Sequence, residues 1–265
     1  MTCCVVSGAA QDKTGAPNLV GSWYAYWGWH EVAFTKSDMR FTGAEYDFTL
    51  RDVIGDGRQR KWSFNDYLNP ARGTIPQFNF RVGYYLKPDL DISFGLDHMK
   101  YVVRTGQPVA VEGTIAGSGT ELDGLYDGEQ LHIERWWLRF EHTDGLNYFN
   151  LNLRKHQSLC FWRFVDVRAF GGGGLGILTP RTDANLFGRG RHDKYRLAGY
   201  ALSASAGINV TLWRVFFLQA ELNGGFFHIT SARTTQSVDR VAHHAWFGQS
   251  ALEFGGRWSI GSNSE

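Results

Sequence analysis

Several strand-length segments of the chain alternate apolar and polar residues one by one, and the polar positions carry charge. On one face of segment 216–223 lie Phe216, Leu218, Ala220 and Leu222, and on the other lie Phe217, Gln219, Glu221 and Asn223. Strict alternation predicts extended strands whose two faces meet different environments. The chain is therefore predicted to be an all-β protein.

Two architectures place different environments on the two faces of a strand. In a soluble sandwich the polar face meets water, whereas in an outer-membrane barrel the apolar face meets lipid and the polar face lines the lumen. Aromatic residues make up 15% of the 265 residues, and there are 32 glycines against 6 prolines. Tryptophan and tyrosine favour membrane interfaces, and glycine permits close packing of strands. The composition therefore favours the barrel.

Hydropathy and charge narrow the function classes further. The mean hydropathy of −0.30 argues against helical membrane spans, while a barrel needs an apolar residue only at every second position. A net charge of +1 provides no electrostatic reason to expect a nucleic-acid partner.

The turn signals divide the chain into eight strands. One clear hairpin joins its two strands through the tight turn Lys87 to Asp89. The connections alternate long and short along the chain, which is typical of outer-membrane barrels with long external loops. We predict a closed, antiparallel, up-and-down transmembrane barrel of eight strands. The count becomes ten if Asp47 to Val53 and Leu131 to Phe140 also belong to the wall.

The ends of the chain are interpreted separately from the barrel. Residues 1–10 have the small-residue character of a signal-peptide remnant, with cleavage expected after Ala10, and 11–18 form a leader. A disordered native N-terminus is the alternative. Residues 19–260 are predicted to be one barrel domain, and 261–265 a C-terminal tail.

The polar faces of the predicted strands carry four arginines and four acidic residues. These are Arg81, Arg154, Arg168 and Arg257, and Asp97, Asp166, Glu221 and Glu253. An eight-stranded barrel has an interior just wide enough for side chains to fill. Arginine is also better suited than lysine to buried paired sites. We therefore predict an ionic network that fills the lumen and leaves no wide pore.

The chain resembles small outer-membrane barrel proteins of Gram-negative bacteria over roughly Leu19 to Ile260. Its closing segment, Leu252 to Ile260, is similar to the terminal strand signal read by the barrel-insertion machinery, although Gly261 to Glu265 follow it. The resemblance implies an outer-membrane location, with membrane lipid and the insertion machinery as partners. No cofactor and no metal site are expected. The role is expected to be structural, or interaction-mediating through external loops.

A hydrolase is the first alternative. The stretch Glu141 to Asn147 resembles the His-x-Ser-Asn stretch of outer-membrane lipid A deacylases, with His142 as the base and Thr143 near the nucleophile position. It departs from that pattern because no serine occupies the expected place. The candidate rim residues are His142, Thr143, Asp144, Asp97 and His98.

A soluble ligand binder is the second alternative. Gly21, Ser22 and Trp23 match the Gly-x-Trp start of lipocalins. A lipocalin interior is apolar, so the length, the long loops and the charged inner face count against this class.

Overall fold

The computed structural model describes residues 17–58, 76–236 and 238–259, and these residues form fifteen strands. The strands are β1 (Ser22–Phe34), β2 (Ser37–Thr42), β3 (Asp47–Val53), β4 (Gly55–Asp56), β5 (Phe78–Lys87), β6 (Leu90–Val103), β7 (Pro108–Ile115), β8 (Gly124–His132), β9 (Leu138–Trp162), β10 (Val165–Pro180), β11 (Asp183–Leu186), β12 (Arg189–His192), β13 (Gly199–Leu212), β14 (Phe216–Arg233) and β15 (Arg240–Ser259). Among the described residues, no helix is long and apolar enough to cross a membrane. The predicted signal remnant, 1–10, and C-terminal tail, 261–265, lie outside the described residues, as does most of the leader, 11–18.

Eight strands form a closed antiparallel ring in the order β1, β5, β6, β9, β10, β13, β14, β15. The ring closes because β15 pairs with β1, with Ser22 opposite Ser259. Short turns join the strands at one end, which we call the turn end, and long connections leave the other. The prediction of an eight-stranded closed barrel is confirmed. The segment Asp47 to Val53 is a strand, but it lies outside the ring.

The long connections, which were predicted to be external loops, carry strands of their own. Strands β2, β3, β7 and β8 continue the sheet beyond β15, β4 pairs with β6, and β11 pairs with both β9 and β12. We call these seven strands the cap. The stretch Glu141 to Asn147 is not a loop that re-enters the wall, because Glu141 pairs with Asp183 and His142 pairs with Tyr101. It belongs to the 25-residue strand β9.

The outer surface of the ring is apolar around its whole circumference. We call its exposed side chains the apolar belt, which includes Trp23, Phe80, Leu86, Ile92, Phe94, Leu151, Leu153, Leu175, Ile177, Leu202, Ile208, Leu218, Leu222, Trp246, Leu252 and Phe254. The inward-facing residues between them are buried and mostly polar. The alternation seen in the sequence is therefore the alternation between the two faces of the barrel wall.

The polarity of the wall reverses towards the cap. Along β14 the inward face changes from Glu221 and Asn223 to Phe227 and Ile229, all of them buried. On the outward face of the same strand, the residues change from Leu222 near the middle to His228 near the cap. The barrel is therefore apolar outside and polar inside near its turn end, and apolar inside near the cap, where the sheet packs as it would in a soluble protein.

Inward-facing glycines make room for large side chains in the narrow lumen. A Cβ added at Gly83 would lie 2.1 Å from the ring of Tyr24, and one at Gly207 would lie 2.4 Å from the ring of Phe170. Each ring therefore occupies the space above a glycine of the neighbouring strand. This pairing explains why the chain is rich in both glycine and aromatic residues.

Candidate functional site

Arg154 is the centre of the polar network in the lumen. It projects inward from β9 and is almost completely buried. Its guanidinium donates to the hydroxyls of Tyr24 and Tyr26 at 2.6 and 3.2 Å. It also lies 3.4 Å from the carboxylates of both Asp91 and Glu221. Hydrogen bonds to several partners at once are what a buried guanidinium requires.

A second arginine extends this network towards the cap. Arg81 of β5 lies 3.4 Å from the carboxylate of Asp97 and 4.0 Å from that of Glu221. Asp97 also accepts a hydrogen bond of 2.9 Å from the amide of Asn150. Glu221 therefore lies between the two arginines, which links three strands of the ring across the lumen.

Glu253 is held by amides. Its carboxylate accepts hydrogen bonds from Gln219 at 2.6 Å and from Asn79 at 3.4 Å. Asn79 in turn bonds to His30, at the level where the polar lumen ends. The amide side chains therefore continue the network to the wall opposite Arg154.

A separate cluster closes the turn end of the lumen. The Arg168 guanidinium lies 2.9 Å from the carboxylate of Asp166, and Arg257 lies 3.9 Å from the same group. Arg168 also donates to the backbone carbonyls of Pro17 and Pro88, at 3.0 and 3.2 Å. The start of the described chain is thereby tied across this end of the barrel.

All eight side chains of the proposed lumen network lie inside the ring and are buried. The sequence-based set omitted Asp91, although the alternation in β6 places it inward. Asp91 bonds to Arg154 and to His156, whose Nε2 atom lies 2.5 Å away. The set also omitted Tyr24 and Tyr26, because a tyrosine on a lumen face carries no charge signal in the sequence.

The cap has a hydrophobic core of its own, continuous with the upper lumen. Phe41 stacks on Phe48 with a centroid distance of 5.3 Å, and its edge contacts Phe140 at 6.1 Å. Trp137 stacks on Phe187 and donates through its indole N–H to the His132 carbonyl at 2.9 Å. Apolar packing therefore seals the lumen on the cap side.

His142 lies within this core. Its Nε2 atom is 3.4 Å from Nε2 of His243, and its Nδ1 atom is 3.1 Å from the Thr182 hydroxyl. His243 lies 3.5 Å from the Ser37 hydroxyl on its other side. All four side chains are buried, so the hydroxyls near these imidazoles are closed to a lipid substrate.

The other candidate rim residues lie elsewhere. Asp97 is part of the lumen network, and His98 bonds to the Asn147 amide oxygen at 2.7 Å. Asp144 is on the outer surface, 2.9 Å from His192 and 3.4 Å from Arg181. Thr143 directly follows the inward-facing His142 and is half-buried.

The five candidates therefore occupy separate environments, and the geometry does not assemble them into a nucleophile–base site. Within the described residues, no three metal-ligating side chains cluster.

The exposed faces identify the environment of the barrel. Leu218, Leu222 and Leu252 are 64%, 68% and 70% exposed, while the inward side of the same strands is buried and charged. Exposed leucines on one face and buried charges on the other are favourable only when lipid surrounds the barrel. The closed ring suits that environment, because it satisfies all backbone hydrogen bonds of the wall within the barrel. The chain is an integral outer-membrane β-barrel protein. A lipocalin would show the opposite polarity across this part of its wall.

Comparison with known proteins gives neighbours of the same general fold. No family model matches the chain, and no curated protein is significantly similar to it. Among solved structures, it is similar to the outer membrane protein OprG of Pseudomonas aeruginosa, with 10% identity and a TM-score of 0.43 over 92% of this chain and 98% of that one.

Two further structures are similar at lower scores. One is the attachment invasion locus protein Ail of Yersinia pestis, with 11% identity and a TM-score of 0.32 over 90% of this chain and 99% of that one. The other is the N-terminal β-barrel domain of Pseudomonas aeruginosa OprF, with 10% identity and a TM-score of 0.33 over 90% and 98%. Because these scores are low, the membrane assignment rests on the closed ring and the apolar belt.

Proposed function

We propose that the protein is a closed outer-membrane anchor that presents a folded β-cap at the cell surface, and that the cap mediates interactions there. The observation that carries this proposal is the burial of paired charged side chains inside the ring. The lumen holds paired ions at two levels, and the cap core lies above them.

A filled lumen argues against transport of solutes. Opening a path past Arg154 would require breaking its bonds to two carboxylates and two hydroxyls. Removing one partner from a buried ion pair typically costs about 3–5 kcal/mol. A wide and permanently open pore is incompatible with those contacts.

Ion pairs on the surface of the cap hold its strands together in addition to the hydrophobic core. Arg51 of β3 lies 2.6 Å from the carboxylate of Asp38 and 2.5 Å from that of Glu112, which links three strands of the cap. At the far edge of this sheet, β8 is paired on one side only and is exposed along most of its length. Such a surface is suited to contacts with other molecules, because its shape is fixed before binding.

Conductance across a planar bilayer tests the closed lumen. The unmutated protein is expected to give no steady single-channel conductance, while a porin run in parallel does. A steady, large conductance from the unmutated barrel would overturn the proposal of a closed anchor.

Cysteine labelling in intact cells tests which side presents the cap. In a background without native cysteines, Glu129→Cys in β8 should react with a membrane-impermeant maleimide, whereas Lys87→Cys at the turn end should react only after lysis. Both positions are exposed, so the difference reports the side of the membrane. Labelling of Lys87→Cys alone in intact cells would contradict a cap at the cell surface.

A further inference from the structure

A group of cations stands on the outer surface where β10 leaves the ring and β13 enters it. Asp193 gathers three of them: Arg191 and Arg196 each lie 3.0 Å from its carboxylate, and Arg181 donates to its backbone carbonyl at 3.3 Å. Burial tends to raise the pKa of Asp193, but the N–H of Lys194 and the two guanidinium groups hold the carboxyl pKa below its ordinary value. We call Arg181, Arg191, Lys194 and Arg196 the rim cations.

The rim cations have more positive charge than their neighbours neutralise. Among the described residues, the carboxylates within ion-pair distance of these four cations are those of Asp193 and Asp144, and Asp144 is shared with His192. The side chains of Arg181 and Arg196 are 37% and 45% exposed. Their guanidinium groups therefore have donors available to an anion from outside.

The rim cations lie directly beyond the apolar belt. On the outward face, Ile177 pairs with Tyr200 in the last outward-facing rung shared by β10 and β13. Leu197 and Tyr195 come next along the chain, and both are exposed. The Arg181 guanidinium lies 5.8 Å from the ring centre of Tyr195. Exposed aromatic and aliphatic side chains between a belt and a set of cations mark a membrane–water interface.

Two histidines lie beside the rim cations on the neighbouring strands. His228 of β14 is paired with Tyr200 on one side and with His244 on the other, and the rings of the two histidines lie 5.8 Å apart. Both face outward above Phe226 and Trp246 of the belt. On the next strand of the ring, Glu31 faces outward opposite Ser250, which lies six residues along β15 from His244. The rim cations and the two histidines therefore lie above β10, β13, β14 and β15.

A groove lies in the belt on that same side. Small outward residues of β13, β14 and β15 form its floor, and its volume is about 740 Å³. The floor residues are Ala204, Ala206, Gly224, Gly248 and Ser250, and Leu222 and Glu31 also line the groove. Two residues further towards the cap, the outward residues of these strands are Leu202, Phe226 and Trp246. The next outward residues are Tyr200, His228 and His244, so the groove lies below the two histidines.

We propose that this side of the barrel binds a phosphorylated lipid of the outer leaflet, with its phosphate on the rim cations and one acyl chain along the groove. The proposal rests on the membrane placement argued above. A lipid is favoured because the cations, the interfacial aromatic residues and the apolar groove follow one another in the order of headgroup, interface and chain. A soluble anion would need only the cations.

Titration of lipid A into the intact barrel in neutral detergent tests the phosphate contact. The double variant Lys194→Gln/Arg196→Gln is expected to bind bisphosphorylated lipid A about 10- to 30-fold more weakly, because each basic residue near an anionic headgroup contributes roughly a fivefold factor. The control is Arg40→Gln/Arg104→Gln, which removes two exposed cap arginines away from the rim and should leave the affinity within about twofold of the unmutated protein.

Filling the groove tests the acyl contact. A Cβ at Gly248 meets no atom within 4 Å, so Gly248→Leu is expected to fold and to weaken lipid binding severalfold. Gly256→Leu, which adds the same side chain on the outward face of β15 near the turn end and outside the groove, is the matched control. The shift in gel mobility on heating confirms that each variant is a folded barrel, so loss of binding is distinguished from failure of the membrane placement.

Three results would overturn the inference. The first is equal binding of dephosphorylated lipid A, and the second is unchanged affinity in the rim double variant. The third is displacement of lipid A by millimolar inorganic phosphate, which would show that the cations take a soluble phosphate.

Discussion

Replacing Arg154 by methionine should destabilise the barrel more than any surface substitution on the same strand. Methionine keeps much of the volume but removes the donors to Tyr24, Tyr26, Asp91 and Glu221. A carboxylate left buried without its cation typically costs about 3–5 kcal/mol. Asp91 retains His156 at 2.5 Å, so the lower end, about 3 kcal/mol, is expected.

The measurement is a urea titration of the folded barrel in lipid vesicles, followed by the mobility of unheated samples on a gel. The matched control is Lys155→Met at the adjacent residue, whose side chain is 78% exposed and forms one ion pair with Asp89 at 3.8 Å. An exposed pair of this kind contributes about 0–1 kcal/mol. The two substitutions therefore remove one cation each from opposite faces of the wall.

Compensation separates loss of charge pairing from loss of packing. Adding Asp91→Asn and Glu221→Gln to Arg154→Met removes the two carboxylates that Arg154 paired. It should restore part of the lost stability, but not all of it, because Glu221→Gln also takes a carboxylate from Arg81. If Arg154→Met unfolds at the same urea concentration as Lys155→Met, the buried network does not stabilise the barrel and the reasoning is refuted.

Three further substitutions test the wall, the lumen and the cap. Leu218→Arg should lower the free energy of unfolding by about 2–4 kcal/mol and reduce the folded fraction on gels. Leu125→Arg in the cap, where the leucine is 80% exposed, should be tolerated. Equal tolerance of the two substitutions would contradict a lipid-facing belt. Gly83→Ala should lower the melting temperature of the folded gel band and Gly171→Ala should not, because only the first Cβ meets a buried ring. Phe140→Ala should speed hydrogen exchange in the cap, with a local cost of about 3–5 kcal/mol, and unchanged exchange would count against a packed cap core.

The faces of the wall strands could be predicted from the sequence because alternation is a property of neighbouring residues. Leu218 and Gln219 must point to opposite sides of a strand wherever that strand lies. The closed eight-stranded ring followed from the alternation of short and long connections, and the structure confirms it. The inward direction of the eight charged residues was predicted on the same basis, since each lies on the charged face of an alternating segment, and all eight are buried.

The reversal of polarity towards the cap is also present in the sequence. On β14 the inward positions Phe227 and Ile229 follow Glu221 and Asn223 at the same two-residue spacing. The apolar set therefore moves from one face to the other without a break in the strand. The alternation of the wall segments near the turn end does not carry this change, so by itself it predicts external loops where the structure has the cap.

The partners of the lumen charges were decided only by the tertiary structure. Arg154 meets Asp91 of β6 and Glu221 of β14, and Asp166 meets Arg257 of the last strand. Such pairs depend on the register between strands and on closure of the ring, which brings distant segments face to face across the lumen. His142 came to lie in a buried core for the same reason, because β6 and β11 pair with the outer part of β9. Alternation along one strand fixes the side to which a residue points, whereas its partners are fixed by strands far away in the sequence.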